Sequence, residues 1–389
     1  MASLSLSQTL AGIADAVEHG EIPGAVILVA GLDRVHAHEA IGASTIGGTP
    51  MRRDSLFRIA SMTKPVVSAT AMWLVEAGRL RLEDPVARHL PALSTLAVLK
   101  SPQSGEIEPA ERPVTVLDLL THRAGFAYPG TAEGLPVDLL RAFNAEFLPN
   151  LREDEWLERL AQVPLMHQPG KAFTYGFSTD VLGLLIAGVE GQSLGRVLKD
   201  RIFGPLGMDQ TTFRVSRGDR ERLVGAYSRD LEHGALTKIA PALDCQVAVD
   251  GAFESGGAGL VSTARDYLRF ARFLLSGQDA TGKSMLSQRS LALMTSNHLT
   301  PEQRRLPTFG LPDYWSEQGF GLGVSVLDRP GAARSKSVGR YGWAGAYGTL
   351  WLNEPCHGLT ALLMAQVMTL EAQPSYELRF EADLHEALP

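Results

Sequence analysis

Apolar segments with strand character lie at the two ends of this 389-residue chain, while its middle reads as helix, and few folds accommodate that distribution. Gly24 to Ala30 and Val35 to Ile41 are runs rich in valine and alanine, joined through Gly31 and Asp33, a pattern that predicts a β-hairpin. Helical spacing over Leu6 to His19, closed by Gly20, precedes the hairpin. Strand character returns only at Phe320 to Leu327, Tyr347 to Leu352 and Leu359 to Met368, and Tyr376 to Leu388 ends the chain as an amphipathic helix. From Ser61 to about Phe203 the pattern is helical, with loops marked by Pro102, Pro129, Pro136, Pro149 and Pro169. One antiparallel sheet assembled from both termini and flanked by helices, with a mostly helical lobe inserted, satisfies all of these segments. The expected class is α/β, of the α+β type. No repeat or low-complexity linker divides the chain. The expectation is therefore one domain over 1–389, with a first lobe of about 1–60 and 255–389 and a second of about 61–254.

Composition excludes several function classes. A hydrophobic share of 45% and a charged share of 20% are those of a globular protein. Net charge is −7, and no run of lysine and arginine could track a phosphate backbone, so nucleic acid is not an expected partner. The longest apolar stretches, Val181 to Val189 and Leu359 to Leu370, are too short to span a bilayer, which argues against a membrane partner. Met1 to Ala11 lacks a basic start and a sustained apolar core, so the default expectation is a cytoplasmic protein. Cys245 and Cys356 cannot form a disulfide framework and are expected to be two buried free thiols. His36-Ala37-His38 lacks a matching ligand set elsewhere and reads as hairpin surface. No metal or other cofactor is implied, and nothing in the sequence marks an oligomeric state.

The strongest local signal for chemistry is Ser61-Met62-Thr63-Lys64, at the junction between an extended segment, Asp54 to Ile59, and a long apolar helix over Pro65 to Leu82. Residues three apart share a helix face, so Lys64 can reach the Ser61 hydroxyl. Serine is a weak nucleophile until a neighbour takes its proton, and a lysine desolvated among apolar helices can do so. At the start of a helix the serine's backbone N–H also faces a position where negative charge is stabilised. The bland alternative is a serine N-cap beside a solvated lysine.

Two other strings compete. Gly277-Gln278-Asp279-Ala280-Thr281-Gly282-Lys283-Ser284 matches a P-loop, which would bind nucleotide. A P-loop needs a buried strand before it, whereas Arg265, Asp266, Arg269 and Arg272 interleaved with Leu268, Ala271 and Leu275 form an amphipathic helix. Gly191-Gln192-Ser193-Leu194-Gly195 matches a nucleophile elbow. The preceding run has helical spacing, and Gly191 and Ser193 suit a C-cap and an N-cap.

Taken together, Phe57-Arg58-Ile59-Ala60-Ser61-Met62-Thr63-Lys64, Leu119-Leu120-Thr121-His122-Arg123-Ala124-Gly125, Gln168-Pro169-Gly170, Phe173-Thr174-Tyr175, Pro205-Leu206-Gly207-Met208 and Gly256-Gly257-Ala258-Gly259-Leu260 resemble the serine β-lactamase and penicillin-binding superfamily. The likeness is strongest to class C β-lactamases and family VIII carboxylesterases, and it runs in order from about residue 22 to 370. It implies a β-lactamase-like fold, with Ser61 as nucleophile, Lys64 as base and Tyr175 as the tyrosine of the Tyr-x-Asn motif. The third motif, usually Lys-Thr-Gly or His-Thr-Gly on a core strand, is matched by Trp343-Ala344-Gly345. The N–H groups of Ser61 and Ala346 would then form the oxyanion hole, and His122 falls at a structural position. Phe177 stands where the motif has its asparagine, and Trp343 where it has its cation. A β-lactam's carboxylate and amide would lose those two partners, which leaves an apolar cleft with Trp343, Gly345 and Phe177 on the substrate side. The resemblance thus implies a serine carboxylesterase acting on small, short-acyl esters through an acyl-serine. A β-lactamase, amide hydrolase or acyltransferase on the same scaffold is the alternative.

Overall fold

The first strand, β1 (Gly24–Gly31), is apolar at nearly every position because it is covered on both faces. In the computed structural model, which describes residues 4–101, 105–128, 151–230, 234–239, 253–305, 314–368 and 374–389, its side chains alternate between two cores. Val26, Leu28 and Ala30 face one, and Ala25, Ile27 and Val29 the other. Strand β2 (Val35–Gly42) pairs with it antiparallel, with an irregularity between Val29 and Ala30.

The remaining strands of this sheet come from the far end of the chain: β3 (Gln318–Phe320), β4 (Ser325–Leu327), β5 (Tyr341–Gly345), β6 (Thr349–Glu354) and β7 (Leu359–Met364). All pair antiparallel, in the order β2-β1-β7-β6-β5-β4-β3, so the two termini meet where Val26 faces Met364. On one face lie α1 (Ser7–Glu18) and the C-terminal helix, which bury Ile13, Ala16, Phe380 and Leu384 against Ile27, Leu350 and Leu363. The other face carries Leu28, Trp351 and Leu362 into the larger core. Among the helices that build that core are α2 (Thr63–Glu76), α3 (Ser178–Glu190) and α4 (Ala264–Ser276), and α5 (Ser375–Ala387), at the end of the chain, lies on the opposite face. Helix α2 is buried almost all round over its first ten residues, as a helix inside a core must be.

The expected strand over Phe320 to Leu327 is instead two short strands folded back on one another, with Ser325 opposite Phe320. Gly321 and Gly323 make the fold possible: Gly323 has φ +84°, and a side chain at Gly321 would strike the Met294 carbonyl. Leu359 to Met368 also divides, because after Met364 the chain leaves the sheet and Val367–Met368 pairs parallel with Tyr227–Ser228. Cys356 is exposed rather than buried, its thiol donating to the Val338 carbonyl at 3.3 Å from a turn too short to cover it. Cys245 and the loops expected at Pro102, Pro129, Pro136 and Pro149 lie outside the described residues.

Both competing strings have ordinary structural explanations. Helix α4 ends at Gly277 in the left-handed conformation, and Asp279 then accepts from Thr281 and Lys283 in an exposed turn leading to the helix Gln288–Met294. Gly191 is the left-handed C-cap of α3, and Ser193 caps the helix Leu194–Leu198 by accepting from the Arg196 N–H. Among the described residues no group of His, Cys, Asp and Glu is placed to hold a metal ion, and no single helix is long and apolar enough to cross a membrane.

Candidate active site

Ser61 stands at a corner that the backbone turns abruptly. Phe57–Arg58 pairs antiparallel with Val261–Ser262, and the Ile59 N–H continues the ladder to the Leu260 carbonyl at 3.0 Å. Ala60 then adopts φ +40°, in the left-handed region that costs a residue with a β-carbon about 1 kcal/mol or more. A single 3₁₀ turn, Ala60–Met62, leads directly into α2. The Ser61 N–H thereby falls in the first turn, where helical amides have no acceptor within the helix. Ser61 is half-buried, whereas Lys64, one turn on, is wholly buried.

Lys64 Nζ has three hydrogen-bond partners: the Ser61 hydroxyl at 3.3 Å, the Tyr128 phenol at 3.0 Å and the Gly257 carbonyl at 2.7 Å. It also lies 4.6 Å from the centre of the Tyr175 ring. Tyr175 therefore offers Lys64 its face, while its phenolic oxygen accepts from Trp343 Nε1 at 3.0 Å. The structure brings Ser61, Lys64, Tyr175 and Trp343 together from three separate stretches of chain.

Strand β5 delivers Trp343. Its indole packs at 5.4 Å on Tyr175 and edge-on to Phe320 at 5.2 Å. Gly345, at the end of the strand, presses on the turn before the serine: a side chain there would lie 2.4 Å from the Ile59 carbonyl and 2.3 Å from the Thr349 hydroxyl. Ala346 follows, partly exposed, immediately beyond that contact.

His122 holds the floor. Its φ is +52°, its ring lies 4.7 Å from that of Tyr175, and the Gly176 N–H donates to its Nδ1 at 3.4 Å. With Nδ1 accepting, the tautomer follows: Nε2 donates to the Thr179 hydroxyl, 3.4 Å away. Burial, and after it the charge of Lys64, holds the His122 pKa well below the usual histidine range, so the ring stays neutral. This agrees with a structural part for His122.

Three residues with no prominence in the sequence belong to the same constellation. Tyr128 bonds Lys64, and its hydroxyl also donates to Asp180 Oδ2 at 3.4 Å. Asp180 is buried on α3 and accepts from the Ser255 hydroxyl at 2.5 Å and the Gly257 N–H at 3.0 Å. The nearest signal was position: Tyr128 lies three residues beyond Leu119 to Gly125, and Asp180 five beyond Tyr175. Phe177 lies behind this group, its ring edge-on to Tyr128 at 4.5 Å and to Trp156 at 5.7 Å, almost fully buried. It supports Tyr128 from the core side.

Comparison with known proteins agrees with the geometry. A family model described as Beta-lactamase matches residues 11–386. Protein Rv1367c of Mycobacterium tuberculosis is 38% identical over 378 residues, covering 93% of this chain and 90% of that protein. Esterase EstB of Burkholderia gladioli is 31% identical over 380 residues, covering 92% and 90%. The solved structure of EstCE1, described as a hydrolase with promiscuous acyltransferase activity, superposes with a TM-score of 0.82 at 27% identity, covering 97% of each chain.

Proposed function

This chain belongs to the beta-lactamase family, among the serine hydrolases and acyltransferases built on that fold, and from that premise we propose that it is a carboxylesterase cleaving small, short-acyl esters through an acyl-serine. The observation that carries the reading is the half-buried Ser61 hydroxyl within 3.3 Å of a fully buried lysine, beside an indole where a carboxylate-binding cation would otherwise stand.

Lys64 in its amine form takes the Ser61 proton as the serine oxygen attacks the ester carbonyl. The oxyanion of the tetrahedral intermediate is received by the N–H groups of Ser61 and Ala346, each such donor contributing roughly 3 kcal/mol in enzymes of this kind. The alcohol leaves with a proton from the Lys64 and Tyr175 pair, the Tyr175 oxygen being held by Trp343. Water then enters by the same route in reverse, and the acid leaves. Trp343 and Tyr175, packed ring on ring, present apolar surface to the acyl group, which favours apolar, uncharged substrates.

The direct test is mass spectrometry after fluorophosphonate treatment, with Ser61 as the expected labelled residue. Ser61→Ala should abolish hydrolysis of a short-chain aryl ester and leave the thermal melt unchanged, while Ser193→Ala should retain activity. Label on Ser193, or cephalosporin turnover rivalling ester turnover, would refute the proposal. An acyl-serine can also be intercepted by an alcohol, and the acyltransferase activity described for EstCE1 favours this as a second reading. Added alcohol that diverts product from acid to a new ester would establish it.

A further inference from the structure

Two of the three acceptors around Lys64 Nζ are held in place by one carboxylate outside the expected catalytic set. Asp180 Oδ1 receives the Ser255 hydroxyl and the Gly257 N–H, and Oδ2 receives the Tyr128 hydroxyl. Ser255 in turn accepts from the Ala258 N–H at 3.0 Å, so the whole turn 255–258 is tied to α3 through this residue. The packing leaves no slack. A side chain at Gly257 would lie 2.3 Å from Asp180 Oδ2 and 2.7 Å from the Tyr128 oxygen, and one at Gly256 would lie 2.6 Å from the Thr179 carbonyl. The Gly257 carbonyl and the Tyr128 hydroxyl are the 2.7 Å and 3.0 Å partners of Lys64; the third is the 3.3 Å contact to Ser61.

We propose that Asp180 is a positioning residue of the base: by anchoring Gly257 and Tyr128 together it fixes two of the directions in which Lys64 Nζ bonds, so that the remaining one points at Ser61. The proposal rests on the reading of Ser61 and Lys64 as nucleophile and base.

Charge adds to geometry. Burial pushes the Asp180 carboxyl up, while the charge of Lys64 and the hydrogen bonds from Ser255, Gly257 and Tyr128 pull it back. The groups facing Asp180 are thus Lys64 from α2, the Tyr128 hydroxyl, and the Ser255 hydroxyl and Gly257 amide of the turn, with neutral His122 beyond Thr179. An ionised Asp180 favours the protonated, inactive form of the site. Removing that charge should shift activity toward lower pH.

The experiment compares wild type, Asp180→Asn and Ser255→Ala in the full chain. It measures kcat and KM for a short-chain aryl ester across pH, the rate of Ser61 labelling by a fluorophosphonate, and the thermal melt. Asp180→Asn keeps the shape but loses the charge and one acceptor. Its kcat should fall about 10- to 100-fold with KM within about twofold, a part of the roughly 10²–10⁴-fold that a well-placed acid or base contributes. Labelling should slow in parallel, and the acid limb of the pH profile should move to lower pH. Ser255→Ala should lose several-fold in kcat with the limb unmoved. Wild-type kinetics in Asp180→Asn would overturn the proposal, as would activity lost only in proportion to folded protein with an unshifted limb. Should Asp180→Asn fail to fold, Tyr128→Phe and Ser255→Ala decide: wild-type labelling rates in both overturn it, and slowed labelling in folded protein supports it. A wild type that hydrolyses no ester refutes the proposed function instead, while labelling still reads the positioning.

Discussion

One indole nitrogen determines how the Tyr175 phenol is held. Trp343 Nε1 donates to the phenolic oxygen at 3.0 Å inside a buried aromatic cluster, so charge that would build on that oxygen in the proposed proton transfer meets a donor already in place. Trp343→Phe keeps the ring surface and deletes the donor. A hydrogen bond to a group developing charge contributes about 1.5–3 kcal/mol, so kcat should fall about 10- to 100-fold with little change in KM. A rise in KM at constant kcat would show that Trp343 only binds substrate. The resemblance alone aligns Trp343 with the family's cation, and its contact with Tyr175, which crosses 168 positions, is not legible in the sequence. Asp180 and Tyr128 were harder still. In sequence each is an ordinary helix or loop residue, and only the fold places both against a turn 75 residues beyond Asp180. The positive φ of Ala60 is invisible for a similar reason, since nothing in an alanine announces strain.

At the scale of elements, α5 shows what an amphipathic pattern conceals. The buried face of the helix, Tyr376, Phe380 and Leu384, is the one its periodicity predicts, but Glu377 is buried with them. Burial, and after it the charge of Glu381, pushes the Glu377 carboxyl up to about 8. An unfolded chain releases that proton near the ordinary value of 4.5. Between those two values the folded state binds more protons than the unfolded state, so this residue's contribution to stability is complete below about 4.5 and is lost as pH rises through 8. Glu377→Gln removes the dependence. Relative to wild type the variant should gain roughly 3–5 kcal/mol on going from pH 5 to pH 9. Chemical unfolding of both proteins at the two pH values checks it, and a difference independent of pH would contradict it. Periodicity also could not separate one strand from two in Phe320 to Leu327, because an apolar run reads alike whether it continues or folds back on Gly321 and Gly323. Strand β5 was legible only through the motif it carries, since glycine and alanine occupy three of its five positions.

At the scale of the molecule, the sheet closes the two termini into one unit, and the site lies where the helical core meets it. That plan was legible, because strand patterns confined to the ends leave the chain no other way to bury them. The joint itself was not. Beyond β7, where the sheet stops, the buried side chain of Gln366 takes the place of a further strand: its Oε1 accepts from the Arg58 N–H at 3.2 Å, and its Nε2 donates to the Arg58 carbonyl at 3.0 Å. Arg58 lies three residues before Ser61, and its guanidinium continues to the Val224 carbonyl at 2.8 Å. One amide thus fastens the segment that presents Ser61 to the end of the C-terminal strand. Gln366→Leu keeps much of the volume but strands the Arg58 N–H and carbonyl away from water. Two unsatisfied buried groups of this kind cost about 2–6 kcal/mol, so the melting temperature should fall by several degrees. Because the slack appears beside Ala60 and Ser61, ester turnover at a temperature where the variant is fully folded should fall as well. Gln366→Glu separates the two contacts: it can still accept from the N–H but cannot donate to the carbonyl when ionised, and should lie between wild type and Gln366→Leu in both measurements. A Gln366→Leu protein with wild-type turnover and a lowered melting temperature would make Gln366 a clamp for the fold alone.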